Sequence, residues 1–438
     1  MSKNQEQRFY QKGEKMQEVI NHFKELSKIP HCSFHTEQMQ EFLVEYAKSC
    51  GCEVSVDQVG NIHAYKGSPK VCLQSHYDMV CMGKAPNIEI YEEGDCLKAR
   101  DSSLGADNGI GCAIMMEAIR RFESVECLFT VDEEVGLIGA NGLEHKIRSK
   151  KLLNIDHESD NEVTIGCAGG VDIFVKIPYK TEMKKGLVYE VEVHGFKGGH
   201  SGVDILTNPT SSIKALASFI RRNQGEIIDF FGGERINSIP KYANAKVIFP
   251  QEPKEEKQIS FKFLGEREEA VSSKSSDFLY MVNSFSQGLR TYNNELQIAQ
   301  TSINLAIAKF KNGEIDIELF ARSNDKYELM AIEFETVEFF SLFTQDVRTD
   351  NFYLPWEPKK SAFSEEVLKV MKTYNPSARY YAIHAGLECG IIGAKIEGLE
   401  CCSIGPNIHN PHSTDERCEI SSIEKISKIV FEIVGVNQ

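Results

Sequence analysis

A chain of 438 residues with 41% apolar content is long enough for two domains, each with a sizeable core. Its formal charge of −15 excludes a nucleic-acid partner, whose phosphates clustered Lys and Arg would have to neutralise. Neither the N-terminus (Met1-Ser2-Lys3-Asn4-Gln5-Glu6) nor any later run is apolar enough for a signal peptide or a membrane span, so a soluble, cytoplasmic protein is expected. The 13 cysteines are spread along the chain, many inside apolar runs (Cys72, Cys112, Cys127). They read as reduced thiols packed as small hydrophobes. Cys50-Gly51-Cys52 and Cys401-Cys402 are too close and too isolated for a zinc knuckle.

In chain order, Met16, Val19, Ile20, Phe23 and Leu26 recur at helical spacing, and Pro30 ends the pattern. A second helix is expected over Thr36–Ser49. Short strands follow at Glu53–Val56, Asn61–Tyr65 and Val71–Ser75, separated by Gly and Pro turns. Leu104–Gly109 reads as a turn that delivers Asp107 to the start of a buried helix. Strand Glu126–Val131, a helix near Ala140–Lys146 and strand Leu152–Ile155 continue the alternation. That rhythm predicts an α/β domain with a largely parallel sheet flanked by helices.

The character changes near Lys184. Val188–Val193 alternates in and out, and Pro209–Arg222 reads as an amphipathic helix with proline in its first turn. Ile303–Phe310 and Glu314–Phe320 flank Asn312-Gly313, a hairpin signal because both turn residues tolerate positive φ. A helix follows over Asp325–Phe340. These features predict an α+β domain over residues 185–350 that interrupts the first, which spans 1–184 and 351–438. After the Pro355-Trp356-Glu357-Pro358 linker come helix Ser364–Tyr374, strands Ala378–Ile383 and Leu399–Ser403, and a C-terminal helix from Ser422.

Metal-ligating side chains gather at the expected strand ends, where parallel sheets collect functional groups. Asp107 alone would be a helix cap, and His76 with Asp78 alone a buried histidine satisfied locally. Extended chain puts both side chains of His76-Tyr77-Asp78 on one side, so Asp78 can orient the imidazole. Glu133-Glu134 follows an apolar strand. Two adjacent carboxylates repel unless one ligates a cation and the other handles a proton. With Asp156 and His412, these residues suggest a metal site centred on Asp107.

Taken together, His76-Tyr77-Asp78, Gly105-Ala106-Asp107-Asn108-Gly109, Asp132-Glu133-Glu134-Val135-Gly136, Ile155-Asp156 and Pro411-His412-Ser413 resemble the metallopeptidase family of carboxypeptidase G, peptidase T and the aminoacylases. Gly166–Gly170, Lys197–Gly202, Gln300–Leu305, Arg322-Ser323, His384–Gly390 and Ser403–Pro406 are similar to its aminoacyl-histidine dipeptidase (peptidase D) branch. The resemblance implies a catalytic domain interrupted by a lid, with two zinc ions about 3.5 Å apart, manganese or cobalt being accepted in their place. It implies that Asp107 bridges the ions, with His76 and Asp156 completing one site and Glu134 and His412 the other. Glu133 becomes the general base, Asp78 the partner of His76, and His200 the group that reaches the scissile carbonyl, from its own or another subunit. Asn237, Arg322 and Gly386 match substrate-contacting positions, Arg322 being the candidate for the C-terminal carboxylate. A homodimer formed through the lid is expected.

The chain departs from that branch at Asp132, where Thr is usual, at Asp101-Ser102-Ser103 in place of Gly-Thr-Thr, and in a shorter lid. These departures bear on substrate preference more than on chemistry. The implied activity is hydrolysis of small dipeptides, with a preference for Xaa-His left open. An aminoacylase or tripeptidase of the same family is the alternative, since fold and metals do not set substrate length. A two-metal phosphoesterase would want a cationic surface that this acidic chain does not offer. A non-catalytic metal-binding scaffold would be expected to lose Glu133 or a ligand, and all are present.

Overall fold

In the computed structural model the described residues, 17–438, divide into two compact units. The first comprises the described residues up to Gly166, with Pro358–Tyr381 and Leu387–Gln438. The second comprises Cys167–Glu357 with Ala382–Gly386. These limits replace the expected boundaries at 184/185 and 350/351, and strand pairing is the reason. Gly169–Pro178 hydrogen-bonds along its whole length to Glu314–Ser323 in the second unit. Asp346–Tyr353 pairs with the other edge of the same strand and carries that unit past residue 350.

The first unit is built on an eight-stranded sheet. Its order is Glu53–Val56, Ile62–Lys66, Val125–Thr130, Cys72–His76, Lys151–Asn154, Glu400–Ser403, Glu162–Cys167 and Arg379–Ile383. The four central strands, from Val125–Thr130 to Glu400–Ser403, are parallel, and antiparallel neighbours flank them. Central strands are covered on both faces, so Cys72–His76 and Val125–Thr130 are buried at every position, their polar residues included. Helix Ala106–Arg121 is buried on nearly all sides, with helices Ala362–Tyr374 and Ile420–Val436 in the same core. Residues 17–26 are helical as expected, while Met16 lies outside the described residues. The helix expected over Ala140–Lys146 is only Ile138–Gly142. A small sheet of Ile408–His409, Arg417–Glu419, Cys96–Ala99 and Ile90–Glu93 lies in the same unit.

The second unit is an antiparallel sheet of nine strands with helices Ser212–Arg222, Ser275–Ser284 and Lys326–Ser341. Asn312 and Gly313 both take positive φ, +54° and +80°, as the hairpin between Ile298–Lys311 and Glu314–Ser323 requires. Asp325 caps the helix that follows, accepting from the Glu328 N–H at 2.9 Å. Phe278 meets Phe230 and Phe310 edge-on, each at 4.9 Å between ring centroids, in the middle of this core. The helix expected from Pro209 starts at Ser212, because Ser211 takes the cap position and leaves Pro209 outside.

The expectation that every cysteine is reduced also needs correction. Cys32 and Cys81 form a disulfide. They lie 49 residues apart, and the backbone pairing of Cys32 with Met79 helps bring their two loops together. The other eleven stand outside this disulfide, and nine of those are buried.

Candidate functional site

His76 is the last residue of its strand, Asp156 lies two residues beyond Lys151–Asn154, and Glu133-Glu134 follow Val125–Thr130. These three strands are adjacent and parallel, so their carboxyl ends open on one edge. Asp107 is delivered to that edge at the start of helix Ala106–Arg121. The helix can come so close because residue 111 is glycine. A Cβ there would lie 2.3 Å from the Asn108 Oδ1 and the Ser75 Oγ. Asn108 Nδ2 donates to the Ile155 carbonyl at 2.7 Å, which ties the Asp107 turn to the Asp156 strand. His412 arrives from the loop between Ile408–His409 and Arg417–Glu419.

The two oxygens of Asp107 face different histidines. Oδ1 lies 3.2 Å from His76 Nε2, and Oδ2 lies 3.1 Å from His412 Nε2. Asp156 Oδ1 is 3.3 Å from His76 Nε2, and Glu134 Oε2 is 2.9 Å from His412 Nε2. His76-Asp107-Asp156 and Asp107-Glu134-His412 are thus two groups that could each hold a metal ion and that share Asp107, their ligand atoms within 4.8 Å of one another. Glu134 Oε1 is buried without a hydrogen-bond partner, which is costly unless a cation meets it. Two histidines and three carboxylates at this spacing fit two divalent ions.

The electrostatics of the polypeptide alone point the same way. Burial favours a neutral His412, but Asp107 and Glu134 outweigh it and hold the imidazolium up to about 11. Burial, followed by the Asp107 charge, pushes the Glu134 carboxyl up to about 7. Burial likewise raises Glu133 well above the usual carboxylate range, helped by Glu134, Asp156 and Glu388. A cluster in which carboxylates resist ionising together is one that cations would relax.

Asp78 reaches both His76 and Glu133. His76 Nδ1 donates to the Asp78 carbonyl at 3.0 Å, with Oδ1 of the same residue at 3.4 Å, so Nε2 is turned toward Asp107 and Asp156. The Asp78 carboxylate accepts the Glu133 N–H at 2.9 Å and the Ser33 hydroxyl at 2.8 Å. Burial opposes its ionisation, yet His76 and these donors hold it below the usual range.

Behind the ligands runs a buried polar row that sequence reasoning missed. Glu388 Oε2 accepts from Gln74 Nε2 at 2.5 Å and from the Thr130 hydroxyl at 2.7 Å. Gln74 Oε1 accepts from Asn154 Nδ2 at 2.7 Å, and the Ser403 hydroxyl donates to Asn154 Oδ1. Each of the four strand residues belongs to a different central strand, so the row braces the strands that end in ligands. The only advance cue was an ionisable residue inside an otherwise apolar strand or motif.

The second unit gathers another cluster. Arg322 is buried, stacks on the Phe320 ring at 4.2 Å, and hydrogen-bonds to the Ser201 Oγ and the Tyr353 hydroxyl, each at 3.4 Å, with the Asp172 charge acting on it from farther off. Among the described residues no ion pair involves it. The Ser201 N–H donates to the Asn237 carbonyl, and His200 pairs with Ser238 across a short antiparallel ladder. His200 Nδ1 accepts from the Gly202 and Val203 N–H groups at 3.3 and 3.2 Å, which leaves its proton on Nε2. Gly386 lies two residues beyond His384, which Ser302 and Asn324 grip at its two ring nitrogens at 2.8 and 2.9 Å. Burial pushes the His384 imidazole down to about 3 and keeps it neutral. Tyr353, Ser201 and His384 had no assigned role in the sequence, since only the fold brings them to Arg322.

Comparison with known proteins gives a consistent picture. The sequence pattern of the family described as Peptidase family M20/M25/M40 matches residues 72–435. The chain is 30% identical to the cytosol non-specific dipeptidase of Escherichia coli (strain K12), with 94% of this chain and 96% of that protein covered. It superposes on the aminoacylhistidine dipeptidase of Vibrio alginolyticus with a TM-score of 0.80 and 25% identity over 96% of each chain. A tripeptidase from Staphylococcus aureus shares the fold at a TM-score of 0.59 and 18% identity, with 96% of this chain and 98% of that one covered.

Proposed function

Because the chain belongs to peptidase family M20/M25/M40, we propose that it is a metal-dependent dipeptidase that cleaves small dipeptides, with Xaa-His substrates among them. The observation that carries this reading is the pair of groups sharing Asp107 that could each hold a metal ion, with Glu133 beside them. Supporting the dipeptide preference is the likeness to a dipeptidase over almost the full length of both chains. His76 and Asp156 would hold one ion and Glu134 and His412 the other, with Asp107 offering one oxygen to each group. Zinc suits this donor set, and manganese or cobalt is accepted.

Two divalent ions supply Lewis acidity, making water acidic enough to deprotonate near neutral pH and offsetting negative charge on the carbonyl oxygen. The chain's own residues do the rest. Glu133 takes the proton of the attacking water and passes it to the leaving amine. Asp78 holds both the His76 ring and the Glu133 backbone in register. His200 offers its Nε2–H to the developing oxyanion. Arg322 binds the free C-terminal carboxylate, and Asn237 and Gly386 contact the rest of the substrate.

A panel of dipeptides, tripeptides and N-acetyl amino acids, assayed with zinc-loaded protein, tests the substrate class. Dipeptides should have the highest kcat/KM. Preference for a tripeptide would make this a tripeptidase, and preference for an N-acetyl amino acid an aminoacylase. The metal reading has its own check in pH. His412 must give up its proton to ligate, so zinc affinity should rise by about tenfold per pH unit for each proton displaced between pH 6 and 8. Affinity independent of pH in that range would remove His412 as a ligand.

The same reading includes a homodimer formed through the second unit. It is supported by an apolar stripe on helix Lys326–Ser341, where Tyr327, Met330 and Phe334 are 76%, 48% and 66% exposed. Light scattering should report a dimer, and Tyr327→Glu with Phe334→Glu should give monomers. A fully active wild-type monomer would contradict it. We place the protein in the cytoplasm, in keeping with its cytosolic relative. No helix among the described residues is long and apolar enough to cross a membrane.

A further inference from the structure

Glu416 lies in the loop between Ile408–His409 and Arg417–Glu419, four residues after His412. Only 3% exposed, its side chain reaches the turn that carries Asp107. Oε2 accepts the N–H groups of Leu104 at 2.8 Å and Gly105 at 3.1 Å. Oε1 accepts those of Ala106 at 2.9 Å and Asp107 at 3.3 Å. Four consecutive backbone donors therefore converge on one carboxylate.

A helix N-terminus leaves unpaired N–H groups and positive potential. Gly105, at φ +71°, has no side chain of its own with which to cap them. An ordinary cap is local and satisfies one donor. Glu416 lies 309 residues from Asp107 in sequence and satisfies four. Its own loop is tightly held, with the Glu416 N–H on the Ser413 carbonyl at 3.3 Å and the Ser413 hydroxyl on the Asn410 carbonyl at 2.7 Å. The strand after it pairs with Cys96–Ala99, the strand that leads into the Asp107 turn, with Cys418 opposite Leu97.

We infer that Glu416 is a positioning residue that ties the Asp107 turn to the His412 loop, so that the two metal sites form or fail as one unit. The inference rests on the two-ion reading given above. Asp107 aims its two oxygens in two directions, and its backbone sets those directions. Releasing that backbone misaligns the bridge for both ions at once, whereas losing a terminal ligand weakens one. Glu416→Gln keeps the volume but turns an NH2 group toward two of the four donors, which then have no acceptor.

The test titrates metal-stripped, full-length protein with cobalt(II), whose visible absorption reports the coordination of each ion. Wild type should bind two ions; fewer than two would overturn the two-ion reading itself and this inference with it. Glu134→Gln should weaken one ion. Glu416→Gln should weaken both in parallel, by about 10- to 100-fold each, with an unchanged circular dichroism spectrum. Glu416→Asp keeps the charge and should recover part of the loss for both ions together. A folded Glu416→Gln protein that binds both ions as wild type does, or loses one and keeps the other, overturns the inference while leaving the two-ion reading intact. Hydrogen exchange on metal-stripped wild type needs no variant to fold. The Leu104–Asp107 amides should exchange as slowly as the buried helix behind them, and exchange at the rate of an open loop would also overturn the inference.

Discussion

Glu133→Gln is expected to keep both metal ions and to lose between about 10²- and 10⁴-fold in kcat, roughly 3–5 kcal/mol of barrier. The amide has nearly the shape of the carboxylate but cannot take a proton from water. Glu133 belongs to neither group that shares Asp107, although it forms a third with His76 and Glu134, which is why metal content is measured alongside turnover. Its backbone N–H remains on Asp78, so the turn should hold its position. Two effects of the acid are lost together, proton uptake from water and delivery to the amine. Because the amide removes a proton acceptor and not a substrate contact, KM should change far less than kcat. Metal content by atomic absorption together with steady-state kinetics checks this. A fully metallated variant with substantial turnover would remove Glu133 as the base.

Arg322→Lys is expected to cut kcat/KM on free dipeptides by roughly ten- to a hundredfold, the worth of one charged hydrogen bond, ~1.5–3 kcal/mol. The guanidinium is buried, with neutral partners at 3.4 Å and an aromatic ring beneath it. A planar cation so placed is ready to take a carboxylate in two places, which an ammonium cannot reproduce. A C-terminally amidated dipeptide should already be a poor substrate for wild type. The variant should lose much less on that substrate, because the partner charge is gone. Equal losses on free and amidated dipeptides would show that Arg322 does not read the carboxylate.

What could be read from the residues follows from how local each signal is. Asn312-Gly313 announced its hairpin because a two-residue turn carries its own chemistry, and Asp325 announced its helix in the same way. The alternation of strand and helix foretold a parallel sheet, and only the four central strands are parallel. The His and carboxylate motifs were legible because each combines an apolar strand with a ligand just past its end. The structure brings His76, Asp107 and Asp156 together in one group and Asp107, Glu134 and His412 in another. Glu416 was not legible, since a lone acid in a polar loop looks solvated until the fold carries it to the Asp107 turn. Glu388 and Gln74 were hidden in the same way, each needing a partner on another strand. The Cys32–Cys81 bond and the first residues of the second unit were set by pairings between distant segments, which periodicity within one segment does not report.

The central claim is that this chain hydrolyses dipeptides with two metal ions held around Asp107. Chelator-stripped protein, titrated with zinc while dipeptide hydrolysis is followed, tests it most directly. Activity should be absent without metal and should reach its plateau at two equivalents of zinc. Turnover that survives complete removal of metal, or no dipeptide cleavage with two equivalents bound, would contradict the account.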